Sequence, residues 1–410
     1  MIVRKNSLIK IINKLTKFSF DYLVFQYIFS TFAQSFGKIE NIKIEKIAYY
    51  MRKIYSVITG TGSCVPTKRM MNKDFLSYEF YDANGQKIPI PNEEIVRKFG
   101  EITTISERRY AEDDQVTSDL AVIAAERAIE AAGIDKEELD YIIFAHNFGE
   151  TRVDNIRIDI LPELSSRAKQ KLGIANPFTV AYDVLFGCPG WVQALIQADY
   201  YIRSGDAKKV LVIGADVLSR ISDPHDRDSM IYADGAGAVV VEPRESDVPV
   251  GILGHNSRTD ALNYAHLLHM GYSYNPELAE KKDYYLKMNG RRLYQYALEN
   301  VPSTIKAGLD KLNIGIDQIK KILIHQANGK MDEAILKRLY KLYNIDVVPK
   351  GVMPMTISWL GNSSVATVPT LLDMIVRGEL DNHELTSGDT VVMTSVGAGM
   401  NINSVVYRFP

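Results

Sequence analysis

The sequence contains very little cysteine. Among its 410 residues only Cys64 and Cys188 are cysteines, and neither belongs to a Cys-x-x-Cys pair or lies near a histidine at ligand spacing. A structural zinc site or a disulfide framework needs such clusters, so the pattern excludes both, and we expect no metal ion. Sparse, unpaired cysteines are typical of a reducing compartment, which predicts a cytoplasmic protein.

The chain also lacks an excess of charge of either sign. It has 48 Lys and Arg residues against 50 Asp and Glu residues, which gives a formal net charge of -2 and a pI near 6.4. Nucleic-acid binders carry a strongly basic surface, so we expect no nucleic-acid partner. Hydrophobic residues make up 46% of the chain, which is enough to build a large core.

A long apolar run is missing as well. The stretch from Phe18 to Phe36 is rich in aromatic residues, but Asp21 and Gln26 interrupt it. A membrane-spanning helix needs about 20 consecutive apolar residues, so we expect no membrane span. We treat residues 1–50 as an N-terminal extension that is disordered or an artefact of start-site assignment. A surface-binding amphipathic helix is the alternative.

An internal repeat is the most informative feature that is present. Residues 132–149 (AGIDKEELDYIIFAHNFG) and 314–329 (IGIDQIKKILIHQANG) both run from Gly-Ile-Asp through an apolar strand to a polar tip. Residues 204–217 and 387–399 both begin with Ser-Gly-Asp and continue as a buried strand. The two segments are separated by almost the same interval in each half, which predicts a duplicated structure.

Each half alternates helical patterns with short apolar strands, which indicates an α/β fold. A helix is predicted from Ser118 to Ala132, with Ser118 as its N-cap and Gly133 just beyond its end. Continuous apolar strands at Val210–Ile213 and Ala238–Val241 indicate sheets covered on both faces and favour parallel pairing. We therefore predict an N-terminal half over residues 51–243 and a C-terminal half over residues 244–410, packed as one globule.

Cys188 is the first candidate for chemistry. An apolar strand ends at Gly187 and a helical pattern begins at Pro189, a residue favoured at the first helical position. This places the Cys188 sulfur at a helix N-terminus, where the partial positive charge should lower the thiol pKa from its usual value of about 8.5. A catalytic cysteine is one interpretation, and a buried structural cysteine is the other.

His325 and Asn362 are two further candidates for chemistry, and both lie in the second half. His325 follows the predicted strand Lys321–Ile324, at the type of strand end where α/β proteins place ligand sites. Asn362 lies in a Gly-Asn-Ser-Ser turn that opens an apolar helical pattern. The alternatives are a structural histidine and an ordinary N-cap asparagine.

The three Gly-x-Gly segments are not dinucleotide fingerprints. Gly60-Thr-Gly62, Gly235-Ala-Gly237 and Gly397-Ala-Gly399 all lack the third glycine of that motif. We expect tight strand packing at the first two. The third could in addition leave backbone N–H groups free to hold an oxyanion.

Together these segments resemble β-ketoacyl-acyl-carrier-protein synthase III, the initiating condensing enzyme of bacterial fatty-acid synthesis and a member of the thiolase superfamily. The likeness runs from about Lys53 to Phe409 and depends on the Cys188 segment and on the motifs GTGSCVPT (60–67), ISERRY (105–110), ADGAGAVVVE (233–242), HQAN (325–328), GNSSVA (361–366) and VGAGMN (396–401). The resemblance implies a thiolase-like layered αβαβα fold. It also implies acyl transfer to a cysteine followed by decarboxylative Claisen condensation with malonyl-acyl carrier protein.

The resemblance assigns roles to individual residues. It implies that Cys188 is acylated, that His325 and Asn362 serve decarboxylation, and that the backbone N–H groups of Cys188 and Ala398 hold the oxyanion. Lys330 matches a basic position near the carrier protein. The implied partners are acyl carrier protein, an acyl-coenzyme A donor and a second copy of the chain, and no cofactor is implied.

Two other functions fit parts of the pattern. A specialised condensing or acyl-transfer enzyme of secondary lipid or polyketide metabolism would keep the same three residues and change the acyl pocket. An inactive partner subunit is the non-enzymatic alternative, and its expected mark would be loss of the nucleophile. Cys188, His325 and Asn362 are all intact, which favours an enzyme.

Overall fold

Two mixed β-sheets form the frame of the structure, a computed structural model that describes residues 53–410. The interpretation of residues 1–50 as a disordered or artefactual extension lies outside the described residues. Residues Ile54–Pro410 form one compact unit. No helix within the described residues is both long enough and apolar enough to cross a membrane.

The first sheet is built from the N-terminal part of the described chain. Its strand order is β1-β7-β6-β4-β5. Strand β4 pairs in parallel with both β5 and β6, whereas β6 and β7 are antiparallel. The strands are β1 (Lys53–Cys64), β4 (Tyr141–His146), β5 (Val180–Leu185), β6 (Val210–Val217) and β7 (Asp234–Ser246).

The second sheet comes from the C-terminal part and has the order β11-β12-β13-β8. Strands β11 and β12 are parallel, and β13 is antiparallel to both of its neighbours. Two short antiparallel ribbons pair β2 with β3 and β9 with β10. These strands are β2 (Lys68–Met71), β3 (Glu107–Tyr110), β8 (Gly251–Thr259), β9 (Leu268–Gly271), β10 (Tyr285–Met288), β11 (Ile319–Ile324), β12 (Thr390–Gly397) and β13 (Asn401–Arg408).

The predicted duplication is visible in the order of the strands. In each sheet the strand that follows Gly-Ile-Asp pairs in parallel with the strand that follows Ser-Gly-Asp, and the latter pairs with an antiparallel hairpin partner. The parallel pairing expected from the sequence is therefore confirmed for β4 with β6 and for β11 with β12. It is wrong for Ala238–Val241, because β7 follows β6 without a crossover helix and returns antiparallel.

The helices complete a layered arrangement. The α-helices are α1 (Asn92–Thr103), α2 (Thr117–Ala132), α3 (Leu164–Lys171), α4 (Gly190–Ser204), α5 (Ala261–Tyr264), α6 (Pro276–Ala279), α7 (Gly290–Lys311), α8 (Gly329–Lys341), α9 (Ile357–Leu360) and α10 (Thr367–Val376). Short 3-10 helices cover Asn72–Phe75, Lys136–Glu138, Arg227–Ile231, Ala265–Leu267, Ile316–Gln318, Ser364–Ala366 and Ala398–Met400.

The buried clusters show which helices lie in which layer. Helices α4 and α10 share one cluster with apolar residues from both sheets, so they form the central layer. Helix α2 packs on the other face of the first sheet, and α7 and α8 pack on the other face of the second. The resulting order is αβαβα. Both sheets are therefore covered on both faces, which explains their continuous apolar strands.

The boundaries of helix α2 differ from the prediction at one end. The helix begins at Thr117, with Val116 as its N-cap, and the Asp119 side chain accepts the Val116 N–H at 2.8 Å. Ser118 is thus not the N-cap, and its hydroxyl donates to the buried carboxylate of Glu150 instead. The C-terminal prediction is confirmed, since Gly133 takes a left-handed conformation with φ of 65°.

Two of the Gly-x-Gly segments serve close packing, as predicted. A Cβ atom at Gly60 or Gly62 would overlap backbone oxygens of helix α2 (Thr117–Ala132). At Gly237 it would lie 2.7 Å from the ring of Pro369 in α10. Glycine lets the sheet and its covering helices approach this closely.

Candidate active site

The turn that holds Cys188 connects strand β5 to helix α4 (Gly190–Ser204). Gly187 takes a left-handed conformation with φ of 67°, and the N–H of Gly190 donates to the Gly187 carbonyl at 2.9 Å. Pro189 is the N-cap and the helix begins at Gly190, one residue later than predicted. The thiol of Cys188 therefore lies at the start of the central helix.

His325 and Asn362 are held by backbone pairing in the second half. His325 directly follows β11, and its N–H donates to the carbonyl of Thr394 in β12 at 2.9 Å. Asn362 forms a parallel bridge with Tyr232. The Asn362 side-chain oxygen accepts the N–H of Ser364 at 2.9 Å, so the residue closes a local turn and is not the cap of α10.

A cavity of about 960 Å³ brings the three predicted residues together. Cys188, His325 and Asn362 all line it, and so does Ala398. The segment from Phe80 to Glu94, which contributes Ile88 and Ile90 to the wall, supplies part of the remaining surface. Residues from both halves of the chain therefore face one space that is large enough for a thioester substrate.

The loops around Cys188 and Ala398 touch through glycine. A Cβ atom at Gly397 would lie 2.6 Å from the Pro189 ring and nearer still to the Cys188 backbone nitrogen. A Cβ atom at Gly187 would lie 2.7 Å from the Ala398 nitrogen. Only glycine permits this approach, which places the backbone nitrogens of Cys188 and Ala398 in adjoining loops. The arrangement is compatible with the predicted oxyanion site.

A chain of polar side chains leads from the thiol into the first half. Ser364 has a left-handed backbone with φ of 55°, and its side chain forms a hydrogen bond with Cys188. The Ser364 hydroxyl oxygen also accepts a hydrogen bond from the Asn147 side-chain amide at 2.8 Å. The same amide and the Asn147 backbone N–H donate to Asp216 at 2.6 and 2.8 Å. Burial raises the pKa of Asp216 to about 6, against the effect of these hydrogen bonds.

The Cys188 thiol does not show the lowered pKa expected from its position at a helix N-terminus. Burial raises its pKa to about 11, and the negative charge of Asp216 acts in the same direction. The hydrogen bond from Ser364 lowers the pKa but does not outweigh burial. The predicted direction of the pKa shift is therefore wrong, because desolvation of the sulfur outweighs the hydrogen bonds that lower the pKa.

The imidazole of His325 is buried and neutral at physiological pH. Burial lowers its pKa to about 4, and a hydrogen bond with the Ser364 backbone acts in the opposite direction. Its Nδ1 atom is buried without a hydrogen-bond partner among the described residues. The residue also lines the cavity, so its ring lies where a substrate would bind. His325 is thus suited to hydrogen-bond a substrate without carrying a charge.

Lys330 does not line the cavity that brings Cys188, His325 and Asn362 together. It is exposed in the first turn of α8 (Gly329–Lys341), five positions after His325. A role in binding a carrier protein stays a prediction. Within residues 53–410, no group of three His, Cys, Asp or Glu side chains is placed to hold a metal ion.

Sequence reasoning missed four residues at the site: Asn147, Asp216, Tyr232 and Ser364. Asn147 occupies the polar tip of the first repeat, as the HQAN segment does in the second, so the repeat itself carried a signal. Ser364 lies within GNSSVA, but its contact with the thiol depends on a left-handed backbone. Asp216 and Tyr232 stand in apolar strand patterns and gave no comparable signal.

Comparison with known families agrees with the geometry. A family model described as 3-oxoacyl-[acyl-carrier-protein (ACP)] synthase III matches residues 182–261, and the C-terminal model of the same family matches residues 309–409. The β-ketoacyl-[acyl-carrier-protein] synthase III 1 of Vibrio parahaemolyticus is 33% identical over 357 residues, which cover 87% of this chain and 100% of the relative.

Solved structures show the same relationship. A 3-oxoacyl-[acyl-carrier-protein] synthase III from Aquifex aeolicus is 28% identical, with a TM-score of 0.69 over 86% of this chain and 100% of the other. The Thermus thermophilus synthase III is 28% identical, with a TM-score of 0.70 over 86% of this chain and 99% of the other. The fold is thus the thiolase-like layered α/β fold, as predicted. The chain belongs to the 3-oxoacyl-[acyl-carrier-protein] synthase III family of acyltransferases, the condensing enzymes of fatty-acid synthesis.

Proposed function

We propose that this enzyme transfers an acyl group from coenzyme A to Cys188 and condenses it with malonyl-acyl carrier protein, which initiates fatty-acid synthesis. The observation that carries the proposal is the meeting of Cys188, His325 and Asn362 at one cavity of about 960 Å³. Cys188 comes from the first half and the other two residues from the second. The first half thus supplies the proposed nucleophile, and the second half supplies two side chains that can hydrogen-bond the substrate.

The first half-reaction forms the acyl-enzyme. The Cys188 sulfur attacks the carbonyl carbon of the acyl-coenzyme A, a C–S bond to the enzyme forms, and the bond to the coenzyme A sulfur breaks. The thiol proton ends on the departing coenzyme A sulfur. The backbone N–H groups of Cys188 and Ala398 stabilise the negative oxygen of the tetrahedral intermediate.

The second half-reaction makes the carbon–carbon bond. The malonyl thioester loses carbon dioxide, and the electron pair of the broken bond moves into an enolate. His325 and Asn362 hydrogen-bond the enolate oxygen, and a neutral imidazole can do so at physiological pH because its pKa is about 4. The enolate carbon attacks the Cys188 thioester, the bond between the acyl carbon and the Cys188 sulfur breaks, and the released thiolate takes up a proton from water. Thioester cleavage and loss of carbon dioxide make the two half-reactions favourable, so no cofactor is proposed.

The exposed position of Lys330 supports the binding of an acidic protein partner at helix α8. It is exposed on helix α8, together with Lys337 and Arg338. A row of basic side chains attracts an acidic carrier and steers its approach. We therefore place the acyl carrier protein against this helix. We also place the enzyme in the cytoplasm, where two free cysteines stay reduced.

The free edge of β5 supports a homodimer. Strand β5 is the last strand of the first sheet in the described part of the chain, and it pairs only with β4 there. Large apolar side chains are exposed on and before it: Phe178 is 84% exposed, Leu185 63% and Val180 48%. An apolar strand edge of this kind invites pairing with another chain. A second copy of this chain is the partner we propose.

The proposal is tested by intact-protein mass spectrometry after incubation with acyl-coenzyme A thioesters of increasing chain length. We expect a mass increase of one acyl group that is absent in Cys188→Ala and that disappears when malonyl-acyl carrier protein is added. Release of a 3-oxoacyl product should accompany that loss. Absence of an adduct with every coenzyme A and carrier-bound donor would contradict the proposed activity.

The division of roles has its own test. We expect Asn362→Ala to slow decarboxylation of the malonyl thioester by about a hundredfold or more, which is the usual effect of removing one such donor. Acylation of Cys188 should fall much less. Cys188→Ala should show the reverse pattern, with decarboxylation retained and acylation abolished. Equal loss of both half-reactions in Asn362→Ala would contradict the assignment.

A further inference from the structure

A row of six apolar or aromatic side chains shares one face of the β9–β10 ribbon. Side chains alternate between the two faces of a strand, and the antiparallel register places residues of β9 directly opposite residues of β10. The row consists of three cross-strand pairs: Leu268 with Met288, Met270 with Leu286, and Tyr272 with Tyr284. The two rings of the last pair stack, with their centroids 5.0 Å apart. We call this row the apolar strip.

The opposite face of the ribbon is anchored to the protein by a buried charge. The side chain of Lys287 is buried, and its amine lies 2.5 Å from Asp223 and 3.3 Å from Asp226. The same amine lies 3.3 Å from the centre of the Tyr274 ring. Charged side chains normally face solvent while apolar ones face inward, so the polarity of this ribbon is reversed. The buried ion pairs fix the direction in which the apolar strip faces.

The apolar strip runs from the active-site cavity to the protein surface. Both members of its first pair, and Leu286 of its second pair, line the cavity that contains Cys188. The third pair is exposed, at 46% for Tyr272 and 54% for Tyr284. Two residues of a strand span about 7 Å, so the first and third pairs lie about 14 Å apart. A row of apolar side chains therefore leads out of the cavity.

The apolar strip differs in chemistry from other parts of the cavity wall. Lys98, Arg227, Asp228 and Arg291 also line the cavity, so polar parts of a substrate can find charged partners there. The strip itself contains no charged side chain, and its only polar side-chain atoms are the two phenol oxygens of the exposed pair. Apolar groups gain most from contact with such a surface, because both sides leave water.

The dimensions of the apolar strip fit an alkyl chain better than a protein surface. Neighbouring strands lie about 4.8 Å apart, so the strip is roughly 10 Å wide and 20 Å long, an area on the order of 200 Å². A stable protein interface buries about 800 Å² on each partner. An acyl group attached to Cys188 begins in the same cavity as the strip and needs no such area.

We infer that the acyl donor of this enzyme carries a long alkyl chain, which leaves the cavity along the apolar strip and ends across Tyr272 and Tyr284. Carbon–carbon bonds are about 1.5 Å long, so a zigzag chain that follows the strip for about 14 Å has roughly ten or more carbons. Shorter chains would leave the exposed tyrosine pair uncovered. The inference rests on the proposed acylation of Cys188 and adds the chemical class of the acyl group.

The test is a competition between acyl donors for Cys188. Butanoyl-coenzyme A is mixed with an equal concentration of octanoyl- or dodecanoyl-coenzyme A, below the concentration at which either forms micelles. Intact-protein mass spectrometry at early times gives the ratio of the two Cys188 adducts, which equals the ratio of their acylation rate constants. We expect the dodecanoyl adduct to exceed the butanoyl adduct by about tenfold or more, because each further methylene buried on the strip adds to binding.

Two variants assign the preference to the exposed end of the apolar strip. The double variant Tyr272→Ser with Tyr284→Ser should lower the dodecanoyl-to-butanoyl ratio by about fivefold or more, because the end of the long chain loses its apolar contacts. The octanoyl-to-butanoyl ratio should change much less, since the shorter chain does not reach the pair. Tyr200→Ser is the matched control, because Tyr200 is 52% exposed on α4 and packs against His255. That control should keep both ratios.

Each contrary result has a distinct meaning. A butanoyl adduct that equals or exceeds the dodecanoyl adduct would overturn the inference while leaving the proposed function intact. An unchanged dodecanoyl-to-butanoyl ratio in the double variant would overturn the assignment to the apolar strip. If that variant also became monomeric in light scattering, the strip would be a contact between two copies of the chain. Failure of every donor to modify Cys188 would overturn the proposed function together with this inference.

Discussion

The ionisation of Cys188 is set by two opposing effects at the residue scale. Its position before helix α4 favours a thiolate, but burial and the nearby Asp216 raise the thiol pKa to about 11. The free enzyme therefore holds a thiol at neutral pH. In the proposed mechanism the thiol therefore loses its proton as the thioester approaches, and the hydrogen bond from Ser364 stabilises the developing thiolate.

This ionisation predicts how fast Cys188 reacts with iodoacetamide at different pH values. Only the thiolate reacts, so the alkylation rate follows the fraction of thiolate. That rate should rise about tenfold per pH unit up to the pKa. We expect no plateau below about pH 10, measured as carboxamidomethylation of the Cys188 peptide. A thiolate stabilised mainly by the helix end would instead plateau near pH 8 or lower.

Asp216→Asn is the matched variant for this measurement. It removes the negative charge and keeps the size of the side chain, so the pKa of Cys188 should fall and alkylation at pH 8 should become faster. An unchanged rate would show that the Asp216 charge does not reach the sulfur. A rate that already plateaus near pH 8 in the unmodified enzyme would contradict the pKa of about 11.

Two loops carry the geometry of the site at the scale of secondary-structure elements. One connects β5 to α4, and the other connects β12 to β13 through Gly397 and Ala398. They touch because Gly187 and Gly397 have no side chains, and this contact sets the separation of the two backbone nitrogens. The positions of the proposed oxyanion donors are thus fixed by packing between loops that follow strands of different sheets.

Gly397→Ala is expected to separate these loops. The new methyl group would lie 2.6 Å from the Pro189 ring, so one loop must move. We expect acylation of Cys188 to fall by about a hundredfold or more, comparable to the loss of an oxyanion donor. Gly308→Ala is the control, because a methyl group there meets Asn256 at an ordinary 3.4 Å within a helix. Acylation by Gly397→Ala within a few-fold of normal would show that the donors tolerate loop movement.

The elements also show what the sequence can and cannot predict. His325 follows β11 and Cys188 follows β5, and strand ends of this kind are where α/β folds place ligand sites, so the sequence favoured a site at these positions. The contacts of Asn147 with Asp216 and Ser364 join side chains that are far apart in the chain, and no local pattern encodes them. The pKa of Cys188 was predicted in the wrong direction because burial is a tertiary property.

The duplication explains the location of the site at the scale of the whole molecule. Matching strands in the two sheets end beside the same cavity, which is lined by the residues directly after β4, β6, β11 and β12: Asn147, Leu218, His325 and Ala398. The central helices α4 and α10 link the halves through one core. In the proposed mechanism the nucleophile comes from one half, and the groups that bind the extender come from the other. Neither half contains a complete site, so the packing of the two sheets is itself a condition for activity.

The exposed edge of β5 is the proposed contact between two copies of the chain. If the free edge of β5 forms the dimer interface, an aspartate at Val180 would be buried there without a partner charge, which is strongly unfavourable. We expect size-exclusion chromatography with light scattering to give a dimer mass for the unmodified protein and a monomer mass for Val180→Asp at micromolar concentration. Val376→Asp is the control, because Val376 is 50% exposed at the end of α10 and Val180 is 48% exposed. This control should remain dimeric. A dimeric Val180→Asp would place the interface elsewhere, whereas a monomeric unmodified protein would contradict the dimer and leave the edge of β5 exposed to solvent.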